Sequence, residues 1–504
     1  MADLRLALLC CIALGAPTTL RAEAMDYADR QRIAAGVDAL VEEALVEREP
    51  GDLSGAAADV MSGLGLALPP VSPVDPPASG FAPSAGGVIE MVDIRLLLAQ
   101  IAVQSGAREH QALLRAQGDR DHDVILLRGG FLTLDDLVDL ARGSAAQDFV
   151  TRSGEAVILT RPLAIWSDAG LHLGAEDRLT LDRPTGSFVA NFGWLDVAGG
   201  TVTGSEALNT AELDFRPFVL SAGQGRMTAR DASFRHLGFG QAPVFGGVSV
   251  VNNRLYGPSS TSRSASFLAT SRLEDVGTLG FVGTTGADIT GNAIAGASGT
   301  AILLSRAAES RVSGNRIGKS AKGQGIRVSA GSRDLTLAGN HLTGLARTGI
   351  AIDQDSRGVT VTGNVVTSGG TTAIALRQAA CVTIAGNLIA LNGGSAVTLG
   401  DSDDISVRDN ALLFNEGSGL LVRDQDSDAA VGLTGNVLIG NAAGFRGATP
   451  GHPVIAGNRL DGQMPRVFAG DLSPLTVAWL QARQRGAPEP VPATPSCGAS
   501  EGDG

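Results

Sequence analysis

Ile289-Thr-Gly-Asn292, Val312-Ser-Gly-Asn315, Leu337-Ala-Gly-Asn340, Val361-Thr-Gly-Asn364 and Ile384-Ala-Gly-Asn387 repeat one phrase, an aliphatic strand ending in Gly-Asn. Val407-Arg-Asp-Asn410, Leu433-Thr-Gly-Asn436 and Ile455-Ala-Gly-Asn458 continue it. The Asn positions step by 23, 25, 24, 23, 23, 26 and 22 residues. A near-constant step of this size is the signature of a solenoid, because each repeat buries its apolar face only against its neighbours. Within a step, as in Gly349-Ile-Ala-Ile-Asp353 and Val359-Thr-Val-Thr-Gly-Asn364, aliphatic residues alternate with small or polar ones. That period is a strand period, and Gly, Asn, Asp and Ser supply the turns. Three short strands per step predict an all-β fold, a right-handed parallel β-helix. The Asn suits its place because it tolerates a left-handed turn after Gly, and its amide can bond the Asn stacked one coil away.

Around this core the chain divides into segments. Residues 1–24 read as a signal peptide, with a short polar start, the apolar run Leu6 to Ala16 and the small-x-small site Ala22-Glu-Ala24. The expectation is export to the periplasm, with no membrane span after cleavage. Residues 25–68 have helical periodicity, 69–88 form a proline-rich linker, and 89–153 form a mixed capping region with helices near Val92–Val103 and Leu132–Arg142. The β-helix is expected over 154–470, a capping helix after Ser473-Pro474 over 471–487, and a disordered tail over 488–504. The helical stretch and the capping region together read as a small N-terminal module and a cap over the open strand edges. Only Cys381 and Cys497 lie outside the leader, so no disulfide framework holds the fold.

From 157 to 275 the coils are less regular, and here Arg161-Pro-Leu-Ala-Ile-Trp166, Thr185-Gly-Ser-Phe-Val-Ala-Asn-Phe-Gly193, Phe215-Arg-Pro-Phe218 and Phe234-Arg-His-Leu-Gly238 follow in order. With Gly325-Ile-Arg-Val-Ser329, they resemble segments of the periplasmic mannuronan C5-epimerases of alginate biosynthesis, over roughly residues 155–460. The resemblance implies a β-helix that inverts C5 of uronate residues in a polymer. Such chemistry needs a base for the C5 proton, a cation on the uronate carboxylate and a second proton donor. In the family the base is the His of an Asp-Pro-His-Asp motif, and an Arg one coil later faces the carboxylate.

The corresponding strand here is Ile302-Leu303-Leu304-Ser305-Arg306, which puts Ser305 at the His position and Leu303 and Arg306 at the acids. The neutralising Arg is missing as well, since Val328-Ser329 is followed by Ala330. No His lies between His236 and His341. His341 reads as an exposed turn residue and His236 as a structural or polymer-binding one; both stay on the page as candidates for a replacement base. A lone serine hydroxyl is too weak a base without a partner.

Charge is unevenly distributed. The chain carries a net −13, which excludes generic nucleic-acid binding. Yet residues 301–350 hold eight basic residues against two acidic ones, and residues 351–440 hold four against ten. The basic band, with Arg306, Arg316, Lys319, Lys322, Arg327 and Arg333, is the expected substrate-binding set for an anionic polysaccharide. No aromatic residue occurs between Phe281 and Phe414, so charge and hydrogen bonds would hold the polymer. Asp424-Gln-Asp426-Ser-Asp428 lacks the Gly and distal Glu of a calcium loop and reads as a solvated acidic turn, as does Asp403-Asp404. No Cys/His metal spacing or phosphate loop is present, so neither cofactor nor metal is expected. Two readings remain open: an epimerase-like protein that binds an acidic exopolysaccharide, with a periplasmic polysaccharide secretion complex as its expected partner, without the inherited chemistry; or an active C5-epimerase or lyase with a rebuilt site.

Overall fold

The computed structural model describes residues 27–45, 51–71, 78–84, 86–107, 110–117, 123–205, 215–240, 242–252, 266–320, 322–463 and 466–485. The leader, the whole stretch expected as a disordered tail and Cys497 lie outside the described residues. From Leu163 to Gly470 the chain winds as a right-handed parallel β-helix of about twelve coils. Each regular coil has three strands. In one coil they are Ile302–Ser305, Arg311–Ser313 and Arg316–Gly318; in the next, Ile326–Ser329, Arg333–Ala338 and His341–Thr343. They stack in parallel register into a first, a second and a third face.

Alternation determines what each strand buries. On the first face Ile302 and Leu304, Ile326 and Val328, and Ile350 and Ile352 point inward and are fully buried. Each such side chain contributes about 1.5–3 kcal/mol of apolar burial, and the β-branch of the isoleucines and the valine suits the pleat. The Gly-Asn turns form a continuous ladder between the second and third faces. Asn340 Nδ2 donates to Asn364 Oδ1 at 2.9 Å and to Val312 O at 2.9 Å, and Asn364 repeats this with Asn387 and Leu337. The same pattern runs from Asn292 to Asn458. Every buried amide is thereby satisfied where a polar side chain would otherwise cost stability. A second, shorter ladder links Asn392, Asn415 and Asn441.

The N-terminal end is closed by Val88–Asp93, antiparallel to Asp123–Arg128, which pairs in parallel with the first-face strand Leu163–Ile165. Of the six α-helices among the described residues, α5 (Leu134–Arg142) starts at a capping box between Thr133 and Asp136 and puts Leu134, Leu137 and Val138 on the core. α3 (Ile94–Ser105) and α4 (His110–Ala116) lie outside the first face of the early coils, over Phe188, Phe215, Phe218 and Phe245. At the other end α6 (Leu475–Arg485) sets Trp479 edge-on to Phe468.

Two N-terminal segments differ from the expectation. The helical stretch forms α1 (Tyr27–Leu45) and α2 (Gly51–Gly63), which do not cap an end. They lie along the third face of the late coils, with Ile33, Val37, Leu40, Val60 and Met61 against Val365, Leu388, Leu413 and Ile439. Arg30 pairs with Asp461 at 3.1 Å in the last coils. The linker is docked rather than free. Pro69 packs at Gly363 and Gly386 and Val71 at Gly339, where a side chain on any of these positive-φ glycines would collide with it. Further on, Ser79 O accepts from Arg226 and Phe81 packs among Phe131, His172 and Trp194. Pro69 and Val71 thus sit on the late coils, and Ser79 and Phe81 on the early ones.

Candidate functional site

The strand that stands where the family carries its base lies on the first face. Leu303 points outward at 6% exposure, Ser305 follows half-buried, and Arg306 turns out to solvent at φ 52°. One coil on, Arg327 is in register with Leu303. An arginine of the expected basic band therefore does face outward next to the lost motif, though not at the position where the resemblance places the neutralising one, and a carboxylate already holds it. Arg327 Nε and Nη2 donate to Asp353 Oδ2 at 3.1 and 3.0 Å. Asp353 Oδ1 is buried without a hydrogen-bond partner. The pair is part-exposed, with side-chain exposures of 33% and 21%, so its Coulomb gain is about 1 kcal/mol at most. Sequence reading missed Asp353; its signal is the outward position closing Ile350-Ala-Ile-Asp353.

The expected basic set does not converge on one face. Arg327 is on the first face and Arg306 on the turn that leaves it. Arg333 opens the second face, with Asp334 at 3.8 Å and Arg357 in register on the next coil. Lys319 and Lys322 are exposed on the turn from the third face back to the first. Arg316 is on the third face, where it lines a small cavity with Leu40 of α1 and His341. The first-face arginines continue beyond the band, at Arg377, Arg423 and Arg446, none of which the band's charge sum singled out.

The two histidine candidates lie elsewhere. His341 is a strand residue, 9% exposed and cross-strand from Arg316, not an exposed turn residue. Burial, reinforced by the Arg316 charge, holds its pKa down at about 4, so it is neutral near pH 7 and closed to a polymer. His236 is at the edge of the third face with φ 55°. Its Nδ1 is 3.1 Å from Asp275 Oδ2, which also accepts from Arg216 Nη2 at 2.8 Å. A third histidine, His172, has Nδ1 2.7 Å from the buried Asp196, which accepts from Thr228 while Phe81 stacks on the ring. No sequence signal marked it, because its partners are one and two coils away.

Between the first and second faces, Asp355, Asp401, Asp403, Asp426 and Asp428 line an open cleft of about 490 Å³ together with Arg357. Five of the ten acidic residues of 351–440 are thus gathered on one edge. No group of three or more His, Cys, Asp or Glu is arranged to hold a metal among the described residues.

The family described as periplasmic copper-binding protein (NosD) matches residues 283–451, about a third of the chain. The soft donors that copper favours are scarce there: those residues hold His341, which is buried beside Arg316, Cys381 and no methionine. The described residues of the matched stretch do not fit a copper site. No curated protein matches the sequence. Among solved structures the periplasmic alginate epimerase AlgG is similar at 17% identity, covering 80% of this chain and 99% of that one with a TM-score of 0.60. A point mutant of AlgG gives 18%, 80%, 99% and 0.62. The fold is that of an alginate-epimerase-like right-handed β-helix.

Proposed function

We propose that this chain is a periplasmic β-helix protein that binds an anionic, uronate-containing polysaccharide along its first face and does not carry out the C5 chemistry of the epimerases it resembles. The observation that carries this reading is the first-face site itself. Leu303 and Ser305 occupy the strand where a base and its acids would stand, and Arg327, the cation next to them, is neutralised by Asp353. Exposed arginines remain on that face and its edge, which is what attraction to a polyanion requires when aromatic platforms are scarce. The periplasmic setting is supported by the names of the matching family and of AlgG. In that setting a polysaccharide secretion complex is the natural partner.

A second reading, an active epimerase or lyase with a rebuilt site, is favoured by one observation. His236 is exposed and oriented by Asp275, with Arg216 beside it, which is the arrangement a general base and its orienting carboxylate need. One experiment separates the two. Polymannuronate is incubated with the mature protein in deuterated water, and deuterium at C5, new double bonds and salt-dependent binding are read on the same sample. The first reading expects binding that weakens with salt, without exchange or cleavage. Exchange at C5 that disappears in His236→Gln would establish the second instead, and absence of binding at low salt would remove the first.

A further inference from the structure

Beyond the basic band, two arginines flank a glycine on the first face. Arg377, Gly400 and Arg423 are in register on consecutive coils, so that about 9.6 Å separates the two arginine backbones at the ~4.8 Å coil spacing. A side chain at Gly400 would meet Arg423 Nε at 3.5 Å and Cγ at 3.6 Å. The Arg423 side chain therefore lies back over Gly400, toward Arg377. Both arginines are exposed. Arg377 has no ion pair among the described residues, and Arg423 has only Asp424 at 4.0 Å. Two residues before Gly400, on the same side of the strand, Thr398 is 8% exposed and its Oγ1 has no hydrogen-bond partner.

We propose that Arg377 and Arg423, on either side of Gly400, form an anion subsite that takes a carboxylate of the bound polymer. This rests on the polyuronate reading above and extends it three to five coils past the lost motif. The Arg423 guanidinium lies over Gly400 and Arg377 stands one coil before it, so two like charges share one line, and a carboxylate at the gap relieves their repulsion and can accept from both. The missing side chain at Gly400 leaves the gap open at its floor. The carboxylates of the neighbouring cleft are on the turn that leaves this face, so they bound the track on one side and disfavour a polymer lying across the coils. A chain along the axis instead meets Arg306, the Arg327–Asp353 pair, this subsite and Arg446 in succession, over six coil steps or about 29 Å.

The test uses the mature full chain and polymannuronate, with affinity measured by calorimetry at two salt concentrations. Arg377→Gln/Arg423→Gln is expected to weaken binding by about tenfold or more and to flatten its salt dependence. Arg377→Lys/Arg423→Lys, which keeps the charge, is expected to recover part of the loss. Arg115→Gln/Arg178→Gln, an equal charge change on the early part of the chain, is expected to bind like the parent. The decisive variant is Gly400→Asp. At ordinary contact distance from Arg423 and with no positive φ to strain it, the new carboxylate fills the subsite from within. It should weaken polymer binding while leaving the melting temperature equal to or above that of the parent, a combination that loss of folding cannot produce. If the parent binds polymannuronate and both the glutamine pair and Gly400→Asp bind equally well, the subsite is wrong and the polyuronate reading stands. If the parent does not bind at low salt, both fall together.

Discussion

At the scale of single residues, the stacked asparagines are the least replaceable polar groups. Asn364 is fully buried and serves five hydrogen bonds, accepting from Asn340 N and Nδ2 and donating to Leu337, Thr362 and Asn387. Asn364→Ala orphans buried groups on both neighbouring coils and should cost about 2–4 kcal/mol, read as a drop in the urea midpoint at unchanged slope. An unchanged midpoint would mean that the ladder contributes no stability. His341 gives a second residue-scale prediction, in pH. Its pKa falls from an ordinary 6.5 to about 4 in the folded chain, so the neutral form is the one folding favours. The stability it contributes is fully present above pH 6.5 and is lost as the pH falls from 6.5 toward 4, up to roughly 3 kcal/mol. His341→Gln should therefore lose less stability than the parent between pH 7 and pH 4, measured by thermal melts across that range. These two residues also show what a sequence makes legible. Asn364 announces itself because Gly-Asn at a fixed step has one structural use. The burial of His341 is invisible, because the helix that covers it, α1, comes from some 300 residues earlier in the chain.

At the scale of the element, a first-face strand can be read in one dimension only. Alternation in Ile350-Ala-Ile-Asp353 says that Ile350 and Ile352 point in and Asp353 points out, as they do. Which side chain Asp353 meets depends on register with the neighbouring coil, and turns of variable length conceal that from the sequence. The charge sums suffer in the same way. Residues 351–440 sum to an acidic segment, but Arg377 and Arg423 stand on the first face while Asp355, Asp401, Asp403, Asp426 and Asp428 collect in the adjoining cleft. The Arg327–Asp353 pair yields a directional prediction. Asp353→Asn removes a negative charge from the proposed track and releases Arg327, so polymer binding should tighten by about threefold or more at low salt. Arg327→Gln leaves Asp353 without its partner and should weaken binding. If Asp353→Asn binds polymannuronate no better than the parent, Arg327 is not part of the track.

At the scale of the whole molecule, the N-terminal segments decide which faces of the solenoid stay open. The repeat predicts a prism whose outward positions are polar, yet the third face of the late coils presents Val365, Leu388, Leu413, Val437 and Ile439. A bare apolar sheet face of that kind is an aggregation hazard. α1 has 19 residues, or about 28 Å at ~1.5 Å per residue, and the five coil steps from His341 to Arg459 span about 24 Å. One helix is thus long enough to run beside all of these coils, as α3 and α4 cover the apolar first face of the early ones. Removal of residues 27–71, retaining the Ser79 and Phe81 anchors, should leave the early coils folded but expose this face. The expected result is self-association, seen as a rise in mass by light scattering, with new binding of a hydrophobic dye. The same deletion reports on the burial of His341 independently. With Leu40 gone, water reaches the imidazole, and the His341 ring protons in an NMR titration should move from a midpoint near 4 back toward 6.5. Arg316 remains beside it, so the midpoint should stop short of the ordinary value. A truncated chain that stays monomeric and titrates His341 near 4 would mean that the sheet, and not the helix, buries this residue, and that the third face needs no cover.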